Sequence, residues 1–385
     1  MLFRSSTSTT IWEGVSQDFI IGADISSVNS LINSGVKFYD FDGNETDLVR
    51  LLADNGVNCI RIRIWNDPFD NSADSSSERN GYGGGNCDID NAVKIARQAA
   101  ACGVRLLLDF HYSDFWADPE RQTAPKAWKD YTLDQKTAAV SEWTTQCLAK
   151  IKETSADIAM VQIGNEINNG LCGETDNGAK CTLINAGASA VRSFDKNIKV
   201  AVHFTNPEKQ GNLNWYAGIL KQNNVDYDIF AVSYYPFWHG TLSNLKIVLT
   251  QIKSRYGKDV MVAETSYPYT YSDSDQSGNV INADSTELQY EVSPAGQAAA
   301  WADLVETIDS IGGLGVFYWE PAWIGVGSVW NENVIKWRQF GSGWASEYAA
   351  SYDKNVTKTE GSSWDNQAVF DKDGKPLESI KMFKR

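Results

Sequence analysis

Long apolar runs are missing from this 385-residue chain. No window approaches the roughly 20 apolar residues of a membrane-spanning helix. The opening stretch "MLFRSSTSTTIWEG" also lacks the apolar core, about 7–15 residues long, of an export signal. Clusters of Lys and Arg long enough to track a phosphate backbone are absent too, and the net charge is −15. Both facts argue against nucleic acid and against an anionic membrane as partners. Histidine occurs three times, too few for a zinc centre to be the first expectation. Six cysteines in a chain of this length are too few for a disulfide-dense scaffold, and none sits in a CxxC pair. Cys59, Cys102 and Cys147 fall in strand-like or helical runs and are expected as free thiols. Cys172 and Cys181 bracket the polar loop "CGETDNGAKC", and a loop-closing disulfide is expected there if the protein is exported.

Aromatic residues, by contrast, are plentiful: 14 Trp, 16 Tyr and 15 Phe. Most belong in a core, but Trp and Tyr also pair a broad apolar face with a polar handle suited to stacking on sugar rings. Apolar or alternating runs recur eight times, at 19–26, 58–65, 104–113, 159–167, 199–206, 228–237, 259–267 and 313–321. Longer amphipathic stretches separate them, such as "ETDLVRLLADNG" and "DIDNAVKIARQAAACG", the latter opening at an Asp cap and ending at a Gly stop. Eight β-α units in a chain of this length predict an α/β fold, a single (β/α)8 TIM barrel with long βα loops. An open doubly wound sheet would call for a Gly-rich phosphate turn, and neither GxGxxG nor GxxxxGK[ST] follows any run. Residues 1–14 read as a flexible tail and 15–385 as one catalytic barrel, with the extra length in loops at 67–86, 172–181, 268–294 and beyond Trp323.

In such a barrel the chemistry gathers where the strands end. These ends carry Asp24, Arg61 and Arg63, Asp109 and His111, Asn165 and Glu166, His203 and Asn206, Tyr234 and Tyr235, Glu264, and Trp319 and Glu320. Glu166 after the fourth run and Glu264 after the seventh would face each other across the mouth. Paired carboxyls at that position suit a retaining glycoside hydrolase, one protonating the departing oxygen and the other attacking the anomeric carbon. Asn165 could then bond the sugar 2-hydroxyl, and a guanidinium could hold the nucleophile ionised. Arg61 and Arg63 share one face of their strand, and Arg61 suits a purely structural ion pair equally well.

The stretches "RIRIWNDP", "NGYGGGNCDI", "LLLDFHYSDFWADP", "QIGNEINNG", "DIFAVSYYPFWHGTL", "AETSYPYT", "FYWEPAW" and "GSGWASEYAASYD" closely resemble glycoside hydrolase family 53, the arabinogalactan endo-β-1,4-galactanases of bacterial type. The resemblance implies Glu166 as acid/base, Glu264 as nucleophile, and internal cleavage of the neutral β-1,4-galactan of pectin. It implies substrate contacts at Asp24, Arg63, Trp65, His111, Trp116, Asn165, His203, Asn206, Tyr234, Trp238 and Trp319. It further implies a structural calcium ion in the loop after the seventh strand. There "DSDQSGN" offers Asp273, Asp275, Ser277 and Asn279, with Asp365 as a further donor, although the closing Glu of an EF-hand is absent. No organic cofactor is expected, and the chain is expected to act as an extracellular or periplasmic monomer. Two other readings stay open: a cellulase- or mannanase-like enzyme on another β-1,4-glycan, and a non-catalytic glycan-binding barrel.

Overall fold

The computed structural model describes residues 14–70, 79–286 and 288–385. Nearly all of the expected N-terminal tail, and the middle of the expected 67–86 loop, lie outside the described residues. Eight parallel strands close into a barrel: β1 (Ile20–Asp24), β2 (Cys59–Ile64), β3 (Arg105–Phe110), β4 (Ile158–Ile163), β5 (Lys199–Phe204), β6 (Ile229–Ser233), β7 (Asp259–Thr265) and β8 (Gly315–Trp319). Each pairs with its sequence neighbours, and β1 closes the ring on β8. The fold class expected from the eight runs is the one observed.

The helices between strands begin where the sequence offers a cap. Asp88 accepts the Asn91 N–H to start α3 (Ile89–Cys102), which stops at left-handed Gly103. Thr132 and Gln135 form a capping box at the head of α4 (Leu133–Lys152). Ser293 caps α8 (Pro294–Asp309), with Pro294 in the first turn, where its missing N–H costs no hydrogen bond. The apolar faces of these helices pack on the outward residues of the strands in one continuous core.

A second, smaller apolar cluster fills the barrel itself, including Ile20, Cys59, Leu107, Met160, Met261 and Phe317. Phe317 lies across Gly22, where an added Cβ would come within 2.1 Å of its ring. Above this plug the inward positions turn polar, which lifts the chemistry to the C-terminal ends of the strands. One position breaks the alternation. Met261 and Ala263 belong to the interior cluster, so strict period two would turn Glu264 out toward the helices. The ladders from β7 slip on both sides, opposite Val232/Ser233 of β6 and opposite Val316/Tyr318 of β8. That bulge re-aims Glu264 into the mouth.

The C-terminal segment after α9 (Trp330–Phe340) runs the height of the barrel. It lays Trp344 and Trp364 at the mouth, then carries Phe383 down to Trp301 on α8, and ends with Arg385 donating to Gln17 O and Phe19 O beneath β1.

Candidate active site

Arg61 is the hub of the polar layer. Fully buried, its guanidinium reaches Glu264 Oε1 at 2.8 Å, Asp24 Oδ2 at 3.0 Å, Asp109 Oδ2 at 2.9 Å, Asn165 Oδ1 at 2.8 Å and, through Nε, Gln162 Oε1 at 3.2 Å. Arg63, one inward position along, bonds Glu320 Oε1 at 2.7 Å and the Gly84 carbonyl at 3.2 Å. Burying a guanidinium is costly unless its charge and donors are met, and here carboxylates from β1, β3, β7 and the residue after β8 meet the charge of both, while Arg63 Nε is left without a hydrogen-bond partner. Burial raises Asp109, but Arg61 and His111 outweigh it and hold the carboxyl below its usual range. Glu320, buried beside Arg63 and Asp24, is pushed up to about 7 by burial.

The two candidate glutamates have unlike surroundings. Glu264 Oε1 takes the Arg61 guanidinium and Oε2 the Tyr235 hydroxyl at 3.0 Å. Burial raises Glu264 above its ordinary value, and Arg61 opposes that rise without cancelling it. Among the described residues no cation pairs with Glu166. Its Oε1 lies 2.6 Å from Ser233 Oγ, and burial together with the Glu264 charge pushes it up to about 8. Its backbone is left-handed at φ 45°, and Tyr112, Asn206 and Glu320 share that conformation just past β3, β5 and β8. Non-glycine residues rarely adopt it, and such departures collect where strand ends must present side chains to a site.

A cleft of about 340 Å3 opens above both carboxyls. Its walls are Trp116, Trp238, Trp319, Trp344 and Trp364, together with Tyr235, His111, His239 and the Asp118 to Pro119 turn. Trp116 stacks on Trp344 at 4.4 Å between ring centres, Trp319 meets Trp364 edge-on at 5.1 Å, and the Arg63 guanidinium lies 4.7 Å over Trp116. Trp238 is 47% exposed at the rim.

Of the expected substrate-contacting residues, Arg63, His111, Trp116, Asn165, Asn206, Trp238 and Trp319 line this cleft with Glu166 and Glu264. Four do not, which corrects the expectation for each. Asp24 is fully buried between Arg61 and Arg63. Trp65 lies behind His111, donating its indole N–H to Nδ1 at 3.0 Å. His203 is sealed beneath Asn165 and Ser233. Tyr234 faces the helix layer and donates to the Gly240 carbonyl, while its neighbour Tyr235 faces Glu264. Strand parity carried that signal: Ile229, Ala231, Ser233 and Tyr235 share the inward phase, so Tyr235 and Ser233 could have been chosen from sequence. Trp344 and Trp364 had no such signal, since no strand run contains them.

In the loop after β7, carboxylate oxygens of Asp273, Asp275 and Asp365 lie within 4.8 Å of one another. Asp275 is pushed up to about 7 by burial and by Asp365. Asn279 Oδ1 and Asp365 Oδ1 are buried without a hydrogen-bond partner. Crowded carboxylates beside orphaned oxygens are what a hard divalent cation satisfies, so these residues fit calcium. Ser277 fits less well, because its Oγ already accepts the Gly361 N–H at 2.8 Å. The expected Cys172–Cys181 disulfide is not formed, and all six cysteines are free thiols. Cys172 sits on a left-handed turn facing Lys136 of α4, whereas Cys181 lies on α5 (Asn177–Phe194) against Phe204 and Tyr216.

Comparison with known proteins agrees with this geometry. The model of glycosyl hydrolase family 53 matches residues 20–383. Endo-beta-1,4-galactanase of Bacillus subtilis is 50% identical, over 96% of this chain and 86% of that protein. Arabinogalactan endo-beta-1,4-galactanase of Cellvibrio japonicus is 35% identical, over 80% of this chain and 81% of that protein. Among solved structures, the Ignisphaera aggregans GH53 catalytic domain superposes with a TM-score of 0.85 at 37% identity, covering 96% of both chains.

Proposed function

The chain belongs to glycosyl hydrolase family 53, and on that footing we propose that this glycoside hydrolase cleaves internal β-1,4-galactosidic bonds of type I arabinogalactan and pectic galactan. The reaction runs with retention of configuration. The observation that carries this reading is the asymmetry of the two carboxyls facing one tryptophan-walled cleft: Glu264 is clasped by Arg61, which opposes the rise that burial imposes, and by Tyr235, while no cation among the described residues pairs with Glu166, which is pushed up to about 8. Pairs of carboxyls whose environments push their protonation apart supply the acid and the nucleophile of a glycosidase.

Glu264, as the carboxylate, attacks the anomeric carbon while Glu166 gives its proton to the departing glycosidic oxygen. The glycosyl–Glu264 ester forms as the carbon–oxygen bond to the leaving chain breaks. Glu166, now the carboxylate, takes a proton from the water that attacks the same carbon and releases Glu264. Arg63, His111, Asn165 and Asn206 offer polar atoms to sugar hydroxyls, and Trp116, Trp238 and Trp319 offer stacking faces. Trp344 and Trp364 extend that platform. Asp273, Asp275, Asn279 and Asp365 hold a calcium ion that braces the loop after β7 and takes no part in the chemistry. A polymeric pectic substrate places the protein's action outside the cell or in the periplasm.

Incubation with linear β-1,4-galactan, cellulose and mannan tests the assignment. Mixed oligosaccharides should appear early from galactan alone, with the newly released anomer in the β configuration by proton NMR. Glu166→Ala and Glu264→Ala should each lose at least about 10³-fold in kcat. Inverted products, or full activity in either variant, would reject the reading.

A further inference from the structure

Behind Glu166 runs a chain of short contacts that fixes where each proton sits. Asn165 donates from Nδ2 to the Ala117 carbonyl at 2.8 Å, and its Oδ1 accepts from the Arg61 guanidinium at 2.8 Å. A guanidinium can only donate, so the orientation of the Asn165 amide is determined. His203 Nδ1 lies 2.8 Å from that same Oδ1. Two bare acceptors would repel at this distance, so Nδ1 carries the hydrogen.

Two donors also approach Nδ1, both at longer range than Asn165 Oδ1. The Glu166 N–H is 3.4 Å away. Gln162 Nε2 is 3.1 Å away, and its two hydrogens go to Asp109 Oδ1 at 2.7 Å and the Gly164 carbonyl at 3.0 Å. His203 is neutral: burial, Arg61 and His111 hold it well below its ordinary value against the pull of Asp109. A neutral imidazole has one proton, so Nε2 is bare and must accept from Ser233 Oγ, 2.9 Å away. The single Ser233 hydrogen is thereby committed to His203. The remaining contact, 2.6 Å between Ser233 Oγ and Glu166 Oε1, can be a hydrogen bond only if its proton comes from Glu166.

We propose that His203 and Ser233 are positioning residues that act in series, His203 drawing the Ser233 hydroxyl hydrogen so that Ser233 accepts from Glu166 and keeps that carboxyl in its acid form. The inference rests on the acid/base role given to Glu166 above. The relay serves both halves of the reaction. It favours the protonated acid before cleavage. Afterwards it confronts the Glu166 carboxylate with serine lone pairs, which strengthens it as the base that takes a proton from water. The other groups facing Glu166 are Glu264 from β7, Asp118 from the turn after β3, Tyr235 after β6, and Thr205 after β5, whose hydroxyl bonds it.

Two measurements separate this from an ordinary serine donating to a carboxylate. The alkaline limb of kcat/KM reports the acid in the free enzyme. Ser233→Ala removes an acceptor from the neutral carboxyl, so that limb should move toward acid by roughly 1 pH unit, and Ser233→Thr, which keeps the hydroxyl, should restore it. A serine that donated to the carboxylate would give a shift toward alkali. The second measurement needs no activity. By nitrogen-15 NMR the wild-type protein should contain one Nδ1–H histidine, its signal lost in His203→Phe. The other two should be Nε2–H, since His111 Nδ1 accepts from Trp65 and His239 Nδ1 accepts the Tyr235 N–H at 3.0 Å. An Nε2–H tautomer at His203, or a limb that stays in place or moves toward alkali, overturns the relay. Full hydrolysis by Glu166→Gln with the Nδ1–H tautomer intact would instead overturn the acid/base assignment and leave the hydrogen-bond chain standing.

Discussion

Glu166 sits among groups that favour its neutral form, so the folded protein keeps a proton there over a pH range in which the unfolded chain has released it. The ordinary value is 4.5 and the folded one about 8. The native state therefore binds more protons than the unfolded state across this window. The carboxyl's contribution to stability is complete below the ordinary value and is lost as pH rises through about 8. Glu166→Gln has no proton to lose. Its melting temperature should exceed that of wild type by about 2 °C or more near pH 8.5, and the gap should narrow toward zero near pH 5. A gap that widened toward acid would mean that the native site prefers the charged form. The two glutamates are legible in the sequence because apolar strand runs stop at "GNEINNG" and "AETSYPYT". Their unlike environments are not legible, since Arg61 comes from β2, Ser233 from the end of β6 and Tyr235 from the turn after it, and they meet the glutamates only when the barrel closes.

Elements decide which neighbour of a pair faces the chemistry. On β6 the inward phase carries Ile229, Ala231 and Ser233 to Tyr235, and leaves Tyr234 against the helices. Tyr235→Phe removes the hydroxyl from Glu264 and should lower kcat/KM by about 10- to 100-fold, the worth of one hydrogen bond to a charged group. Tyr234→Phe removes a bond to the Gly240 carbonyl. It should cost about 1 kcal/mol of stability and leave kcat unchanged. Reversed phenotypes in this pair would place the wrong tyrosine at the nucleophile. The same periodicity makes all eight strands legible and fails at Glu264, where the β7 bulge breaks it. The loop after β7 has its own signature. Asp275 must lose a proton held up to about 7 before it can ligate a cation, so calcium should bind more tightly as pH rises through that value. Calcium at a hundredfold excess over Kd should then stabilise the protein by about 2.7 kcal/mol near pH 8 and less near pH 5, with EDTA reversing the gain. Identical melting with calcium and with EDTA at both pH values would exclude the site.

Across the whole molecule the C-terminal segment does what no single strand can. It supplies Trp344 and Trp364 to the cleft and Asp365 to the cation loop, and it ties the underside of the barrel through Phe383 and Arg385. Its contacts span the full sequence distance between Arg385 and Gln17, which is why its part in the site escapes local pattern reading. Charge acts at the same scale. A net −15 surrounds a cleft whose Arg63 is ion-paired to Asp24 and Glu320, so no uncompensated cation among its lining residues calls for an anionic polymer. Neutral galactan neither gains nor loses from that field. Raising ionic strength from about 0.01 to 0.15 M shortens the screening length from about 30 to 8 Å. It should change kcat/KM on linear galactan by less than about twofold, since a neutral substrate is not electrostatically steered. Polygalacturonate carries a carboxylate on each residue and is repelled at low salt, so it should fail to inhibit there. A galactan rate that fell steeply with salt, or inhibition by polygalacturonate at about 0.01 M, would mean that the cleft attracts charge and that the neutral polymer is the wrong substrate.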